Sequence, residues 1–399
     1  MLRPGTLTLT ILLSMLTALG PLSTDMYLPS LPDIGRALGA PVAQVQLTIS
    51  SYLIGFAIGQ ILYGPVSDIY GRRPVLMAAL VLFTAASFVC PSAQSIDILI
   101  AARFMQAIGG AGAIVLARAM VRDLYSGARA GRELSLMGTI MGIAPIVAPM
   151  VGGVLQTAFG WRANFVLLGG LAVISIAAVA RLLPETRPAR SSEPISFAAM
   201  ARSYAAVASH RGFLAYLGII TATYAGLFAW VAGASVVLQG VYGLSPISFG
   251  FIFPLGAVGY VLGTLIAARR VIRLGLDRMI GLGVFVVACG GVAVAAVVAA
   301  DIHAAIWLVL AMALYLVGLG LSMPQSMAGA LTPFPDRAGT ASALMGFVQQ
   351  TVAAIVLAAT GGYLGRSAWP VAGAVLVMGC LAFAIWAATR GVRAQDASL

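Results

Sequence analysis

No lysine occurs in the chain; all 23 basic side chains are arginine. Charge of either sign is scarce, at 9% of residues, with only 12 acids. Cysteine is scarcer still. Cys90, Cys289 and Cys380 all fall in apolar runs without metal-ligand spacing, which reads them as packing residues and leaves no metal site. His210 and His303 lie 93 residues apart, just outside the apolar runs, so they form neither a metal site nor a histidine pair. A phosphate loop of the form G-x-x-x-x-G-K-[ST] is missing too, which removes the usual device for drawing on ATP.

What remains is overwhelmingly apolar. Hydrophobic residues make up 61% of the chain and the mean hydropathy is +1.01. These values are those of an integral membrane protein. A helix needs about 20 apolar residues to cross the hydrocarbon core, and twelve such stretches follow one another between short polar breaks. They run at 6–28, 44–64, 74–94, 98–117, 134–156, 163–181, 212–238, 247–268, 279–300, 304–324, 339–363 and 367–389. The opening "MLRPGTLTLTILLSMLTALG" has the Arg3 and short apolar core of a signal peptide, yet the run continues past Gly20 without a small-x-small cleavage site. A first transmembrane helix is the simpler account.

The net charge of +11 suggests nucleic acid until the arginines are placed. With a cytoplasmic N-terminus, the inner loops and both termini hold 19 of them, counting Arg181 at the inner end of its run, the outer loops hold Arg36, Arg162 and Arg366, and Arg103 lies within a span. This bias is the positive-inside pattern and predicts both termini in the cytoplasm. No basic stripe with interleaved aromatics is present, so nucleic acid is not an expected partner.

A shift of the sequence against itself by 208 residues aligns Leu136-Met137-Gly138 with Leu344-Met345-Gly346, Gly153 with Gly361 and Trp161 with Trp369. The expected organisation is an N-terminal six-helix bundle (1–181), a cytoplasmic linker (182–211) with a short amphipathic helix near 195–208, and a C-terminal six-helix bundle (212–399). Two parallel repeats around a midplane site are the architecture of an alternating-access transporter.

Three motifs carry chemistry. The loop "GPVSDIYGRRP" between spans two and three combines glycines for close approach, Asp68 to accept hydrogen bonds from a helix N-terminus, and Arg72 and Arg73 to pair with it or with lipid phosphates. Alone it reads as a tight inner turn bearing topology charges. Span four holds "ARFMQAIGG", where Arg103 costs about 2.5–3.5 kcal/mol on insertion scales and so needs a partner, water, or room to snorkel outward. Span five reads "MGTIMGIAPIVAPMVGG": Gly138, Gly142, Gly152 and Gly153 make a small-residue face, while Pro145 and Pro149 each remove a backbone bond and favour a kink.

The first motif resembles the G-x-x-x-D-[RK]-x-G-[RK]-[RK] signature of the major facilitator superfamily, with Ile69 where a base is usual. That resemblance makes Gly64, Asp68, Gly71, Arg72 and Arg73 a gating loop. Arg103 and Gln106 resemble the superfamily's R-x-x-Q-G motif, with Ala107 in place of the glycine. Gly142, Pro145, Pro149, Gly152 and Gly153 resemble the exporters' G-P-x-x-G-G helix, with Ala148 replacing the first glycine. Together with "STDMYLPSLP", "ARAMVRDLY" and "GTASALMGFVQQ", the chain resembles the Bcr/CflA branch of the drug:proton antiporters, of the bicyclomycin and chloramphenicol resistance type. The resemblance implies an all-α protein of twelve transmembrane helices in two six-helix pseudo-repeats, acting as a secondary transporter. It further implies export of small antibiotics against protons, from a bacterial inner membrane, without a cofactor and as a functional monomer.

Apart from Arg181 at the inner end of its run, only two formal charges remain within the twelve apolar runs, Asp25 and Arg103, about three and five residues inside the outer ends of their spans. In the superfamily both spans line the central cavity. Burial favours a neutral carboxyl and a nearby guanidinium favours the anion, so proton affinity at Asp25 would change with conformation. The competing account is a cap at an outer helix end, since "DMYLP" leads to Pro29. Tyr27, Tyr224, Phe228, Tyr315 and Gln349 are the candidate substrate contacts, although packing or lipid-facing roles suit aromatics equally. Export of an endogenous metabolite is an alternative function. A membrane-embedded enzyme would need a nucleophile, metal cluster or carboxylate pair at membrane depth, and a receptor would need larger exposed domains.

Overall fold

The structure, a computed structural model, describes residues 7–125, 127–186, 197–334, 337–363 and 367–396. Arg3, Arg366 and linker residues 187–196, which enter the sequence reading above, lie outside them. All regular elements among the described residues are helical. An apolar segment without water has to satisfy its backbone within itself, and a helix does so. In chain order, α1 (Leu7–Asp25) leads through a 3-10 turn at Leu28–Ser30 to α2 (Leu31–Leu38). Then come α3 (Val42–Tyr70), α4 (Arg72–Ser92), α5 (Ile96–Leu124), α6 (Gly127–Phe159) and α7 (Arg162–Leu182). A short α8 (Phe197–Ala208) precedes α9 (Arg211–Ser235), which ends in a π-turn at Val236–Val241. The rest comprises α10 (Pro246–Ile252), α11 (Pro254–Leu274), α12 (Leu276–Ala299), α13 (Ala305–Leu331), α14 (Ala338–Gly361), α15 (Trp369–Ala388) and α16 (Arg390–Asp396).

Among the described residues, twelve stretches are long and apolar enough to cross a membrane, and they coincide with the twelve apolar runs. Their ends do not. Polar residues continue several helices beyond the apolar window: α5 carries Arg118, Arg122 and Asp123 in its last turns, and α6 carries Arg132 and Glu133 before its apolar part begins. Among the described residues, the buried charged side chains are Asp25, Arg72, Arg103, Glu133 and Arg393, which adds three to the Asp25 and Arg103 singled out from the sequence.

The chain divides into two compact units, Met1–Ser196 and Phe197–Leu399. In the first, α5 packs against α1, α3 and α4, and Leu16, Leu76, Phe83, Leu116 and Met120 fill the centre. In the second, α9 packs against α13, α14 and α15, around Phe213, Ile219, Ile280, Val284 and Met345. Each unit turns a corner on one glycine. Gly71 (φ 94°, ψ 154°) joins α3 to α4, and Gly275 (φ 78°, ψ 162°) joins α11 to α12, a conformation that a side chain disfavours. In the second unit that corner is tied to the chain end: Arg393, 1% exposed, donates from Nε to Asp277 Oδ1 (2.8 Å) and from Nη1 to Thr389 Oγ1.

Candidate functional site

The break that follows Asp25 is written in the sequence. Pro21 leaves the Thr17 carbonyl without its intrahelical donor, and Pro29 starts the 3-10 turn, so α1 stops at Asp25 and helix resumes at Leu31. Helix thus continues past residue 28 to Leu38, and Asp25 lies at the break within this stretch. Asp25 is 8% exposed and accepts a hydrogen bond from Thr24 Oγ1 at 3.0 Å. The turn is held from three neighbouring helices. Tyr27 Oη bonds Thr48 Oγ1 on α3 (2.5 Å), Asn164 Nδ2 on α7 donates to Ser30 Oγ (2.9 Å), and Gln156 Nε2 on α6 donates to Asp33 Oδ2 (2.5 Å).

Arg103 lies in the eighth position of α5 and is fully buried. Its Nη1 donates to Gln106 Oε1 (2.5 Å), Gln106 Nε2 to Ser87 Oγ (2.8 Å), and Ser87 Oγ to the Phe83 carbonyl (2.6 Å). Aromatic rings enclose the rest of the guanidinium: its central carbon is 4.3 Å from the Tyr52 centroid, 4.7 Å from Tyr27 and 5.7 Å from Phe165. Such cation–π contacts contribute about 0.5–2 kcal/mol each. Nε and Nη2 have no hydrogen-bond partner, and among the described residues no carboxylate pairs with this cation. Arg103 and Asp25 thus do not form an ion pair in this conformation. Tyr52 links their helices instead, since Ser23 Oγ on α1 donates to Tyr52 Oη at 2.5 Å. Tyr52, Thr48, Ser23 and Phe165 were not singled out from the sequence. Their roles depend on neighbours far along the chain, and the one local signal was an aromatic or hydroxyl in a span beside a charge.

The loop motif forms a closed set of contacts. Arg72 pairs with Asp68 Oδ1 (2.8 Å) and Asp123 Oδ2 (3.0 Å), and its backbone N–H donates to Glu185 Oε1 (3.0 Å). The Arg73 N–H donates to Glu185 Oε2 (3.2 Å), so one carboxylate from the segment after α7 caps the first two residues of α4. Glu185 and Asp123 were not among the residues picked from the sequence. No atom lies within 4 Å of a Cβ built on Gly64.

On the proline-rich helix, α6 continues through both Pro145 and Pro149. Pro149, Gly152 and Gly153 are buried, while Gly142 and Pro145 are partly exposed. Gly152 is where α6 meets α1: a Cβ there would lie 2.0 Å from the Met26 carbonyl oxygen, one residue after Asp25. Gly138 and Gly142 have open space instead.

Among the candidate substrate contacts, Tyr27 and Tyr315 are fully buried. Tyr27 is committed to Thr48 and Arg103, and Tyr315 Oη donates to the Thr223 carbonyl (3.0 Å). Tyr224 and Phe228 are partly exposed and stack with centroids 4.7 Å apart, and Tyr224 Oη donates to Gln350 Oε1 (3.3 Å). Gln349 is partly exposed on the same helix as Gln350. Among the described residues no three His, Cys, Asp or Glu side chains gather as metal ligands do.

Known proteins place this arrangement. The sequence matches the Major Facilitator Superfamily over residues 13–358. It is 31% identical over 396 residues to Multidrug resistance protein D of Escherichia coli, covering 97% of this chain and 96% of that one. It is 29% identical over 345 residues to a bicyclomycin resistance protein homolog of Haemophilus influenzae, covering 86% of each. The fold is similar to that of the xylose transporter XylE from E. coli, with a TM-score of 0.75 at 16% identity, covering 96% of this chain and 97% of the other. A multi-pass membrane transporter follows, and an enzyme does not. The chain belongs to the major facilitator superfamily, and its relatives put it on the Bcr/CflA branch.

Proposed function

We propose that the protein exports small antibiotics in exchange for protons by alternating access, with the proton gradient as its energy source and no cofactor. One observation supports this most. A buried carboxylate, Asp25, ends the helix of span one, and a buried guanidinium on span four, Arg103, keeps two N–H groups without acceptors. A carboxyl group is favoured as neutral acid in dry surroundings and as anion beside a cation. Movement of the Asp25 turn toward or away from Arg103 then releases or takes up one proton. Asp25 loads from the outer side while no drug is bound and discharges inward as drug is taken up. A total proton driving force of roughly 200 mV is worth about 4.6 kcal/mol per proton, near a thousandfold substrate gradient.

We take the cargo to be small and mostly neutral or weakly polar, and relatives named for bicyclomycin or chloramphenicol resistance support bicyclomycin and phenicols as first candidates. Tyr224, Phe228 and Gln349 are the proposed contacts in the second unit, and Tyr27 and Tyr315 join them where their present packing opens. Gly64, Asp68, Gly71, Arg72 and Arg73 serve as the gating loop. The arginine distribution supports a bacterial inner membrane with both termini cytoplasmic, and a monomer suffices for the cycle. Susceptibility of cells with and without the gene, across phenicols, bicyclomycin and sulfonamides, tests the reading. Protection against at least one is expected, and protection against none moves export of an endogenous metabolite to first place.

A further inference from the structure

Resting on the reading that Asp25 carries the coupled proton, we infer that Glu133 is the acid that receives this proton on the arginine-rich side, by way of a hydroxyl track on α1. Glu133 is buried, 9% exposed, at the start of the fifth span, and Thr10 Oγ1 of α1 donates to its Oε2 at 2.6 Å. At the other end of α1, Thr24 Oγ1 donates to Asp25 Oδ1. Both buried acids of the first unit are therefore bonded to hydroxyls of one helix.

The hydroxyls between them share a face. Thr10, Ser14, Thr17, Pro21 and Thr24 follow at alternating spacings of four and three residues, and Asp25 adjoins the last. At 100° per residue this set stays on one side of the helix, whereas Ser23, which meets Tyr52, points the other way. Ser14 and Thr17 are 0% exposed, and Ser14 Oγ has no hydrogen-bond partner. A buried hydroxyl left without a partner is destabilising, and an alanine in its place would avoid that. Pro21 has no N–H for the Thr17 carbonyl, so this oxygen is also left to accept. The Pro21 carbonyl, 2.9 Å from Thr24 Oγ1, is an alternative acceptor for the one hydrogen that this hydroxyl can also give to Asp25. The result is a line of donors and acceptors about 22 Å long, at 1.5 Å per residue from Thr10 to Asp25. Successive groups are one turn apart, about 5–6 Å, a gap that one water bridges.

Glu133 lies at the arginine-rich end of the unit. Arg118 and Arg122 of α5 and Arg129 and Arg132 of α6 lie at the same end of the unit, and α1 contributes no charge there among the described residues. Among the described residues none of these arginines forms an ion pair with Glu133, whose carboxylate accepts from Thr10. The proton leaves the Asp25 carboxyl, which becomes carboxylate. It passes through the hydroxyls and bridging water to the Glu133 carboxylate and then to the cytoplasm.

The test is substrate-driven proton flux in proteoliposomes containing the full chain and a trapped pH dye, with bicyclomycin and chloramphenicol as probes. Glu133→Gln and Ser14→Ala should each slow the flux about tenfold or more while leaving the substrate KM unchanged, and Glu133→Asp should recover most of the rate. Ser14→Ala stands in where Glu133→Gln does not yield folded protein. Wild-type flux in both variants, with Asp25→Asn inactive, overturns the track and leaves Asp25 coupling intact. Wild-type flux in Asp25→Asn overturns the coupling and the track together.

Discussion

An alanine at position 152 would put its methyl carbon 2.0 Å from the Met26 carbonyl, a backbone atom that no rotamer change can move aside. Overpacking of this kind costs about 1–3 kcal/mol, and here it pushes on the residue next to Asp25. Gly152→Ala should therefore lower the melting temperature of the purified protein by several degrees and reduce export, whereas Gly142→Ala, with open space around it, should leave melting unchanged. Equal melting of both variants would remove the seat assigned to Gly152. Residue identity mattered in the same way at Arg103, whose burial among three rings needs a flat, weakly hydrated cation.

Helix ends, more than helix middles, distinguish this chain. The first two N–H groups of α4 are orphan donors by geometry, and Glu185 satisfies both. Thr186 adds a bond to Asp123, which also holds Arg72 (Oγ1 to Oδ2, 3.1 Å). The segment leaving α7 is thereby fastened to the corner between α3 and α4. Removing the carboxylate in Glu185→Ala should cost about 0.5–2 kcal/mol, the scale of a lost cap, and hydrogen exchange should quicken at the Arg72 and Arg73 amides before it does elsewhere. Unchanged exchange at those amides would show that the cap contributes nothing. The second unit ties its matching corner with opposite polarity, an arginine from after the last span reaching an acid on α12.

At the scale of the whole molecule, lipid is what makes the sequence readable. It forces each apolar run into a helix, so the twelve spans and the family were legible from hydropathy and three short motifs. Asp25 and Arg103 stood out for the same reason, as charges in apolar runs. Legibility failed where polar residues prolong helices. Span one was ended at residue 28 because Pro29 reads as an exit, though helix resumes at Leu31. Glu133 was missed because span five was begun at residue 134, one position after it. Tyr52, Asp123, Glu185 and the Asp277–Arg393 pair were invisible for another reason: their partners lie far away in sequence, and no local pattern announces them. The central claim is that Asp25 carries the proton that is exchanged for drug. It is tested most directly by imposing a pH gradient on proteoliposomes and following drug movement by wild type and Asp25→Asn. The account predicts gradient-driven transport in wild type and its loss in Asp25→Asn, with drug binding retained; gradient-driven transport at the wild-type rate in Asp25→Asn would contradict it.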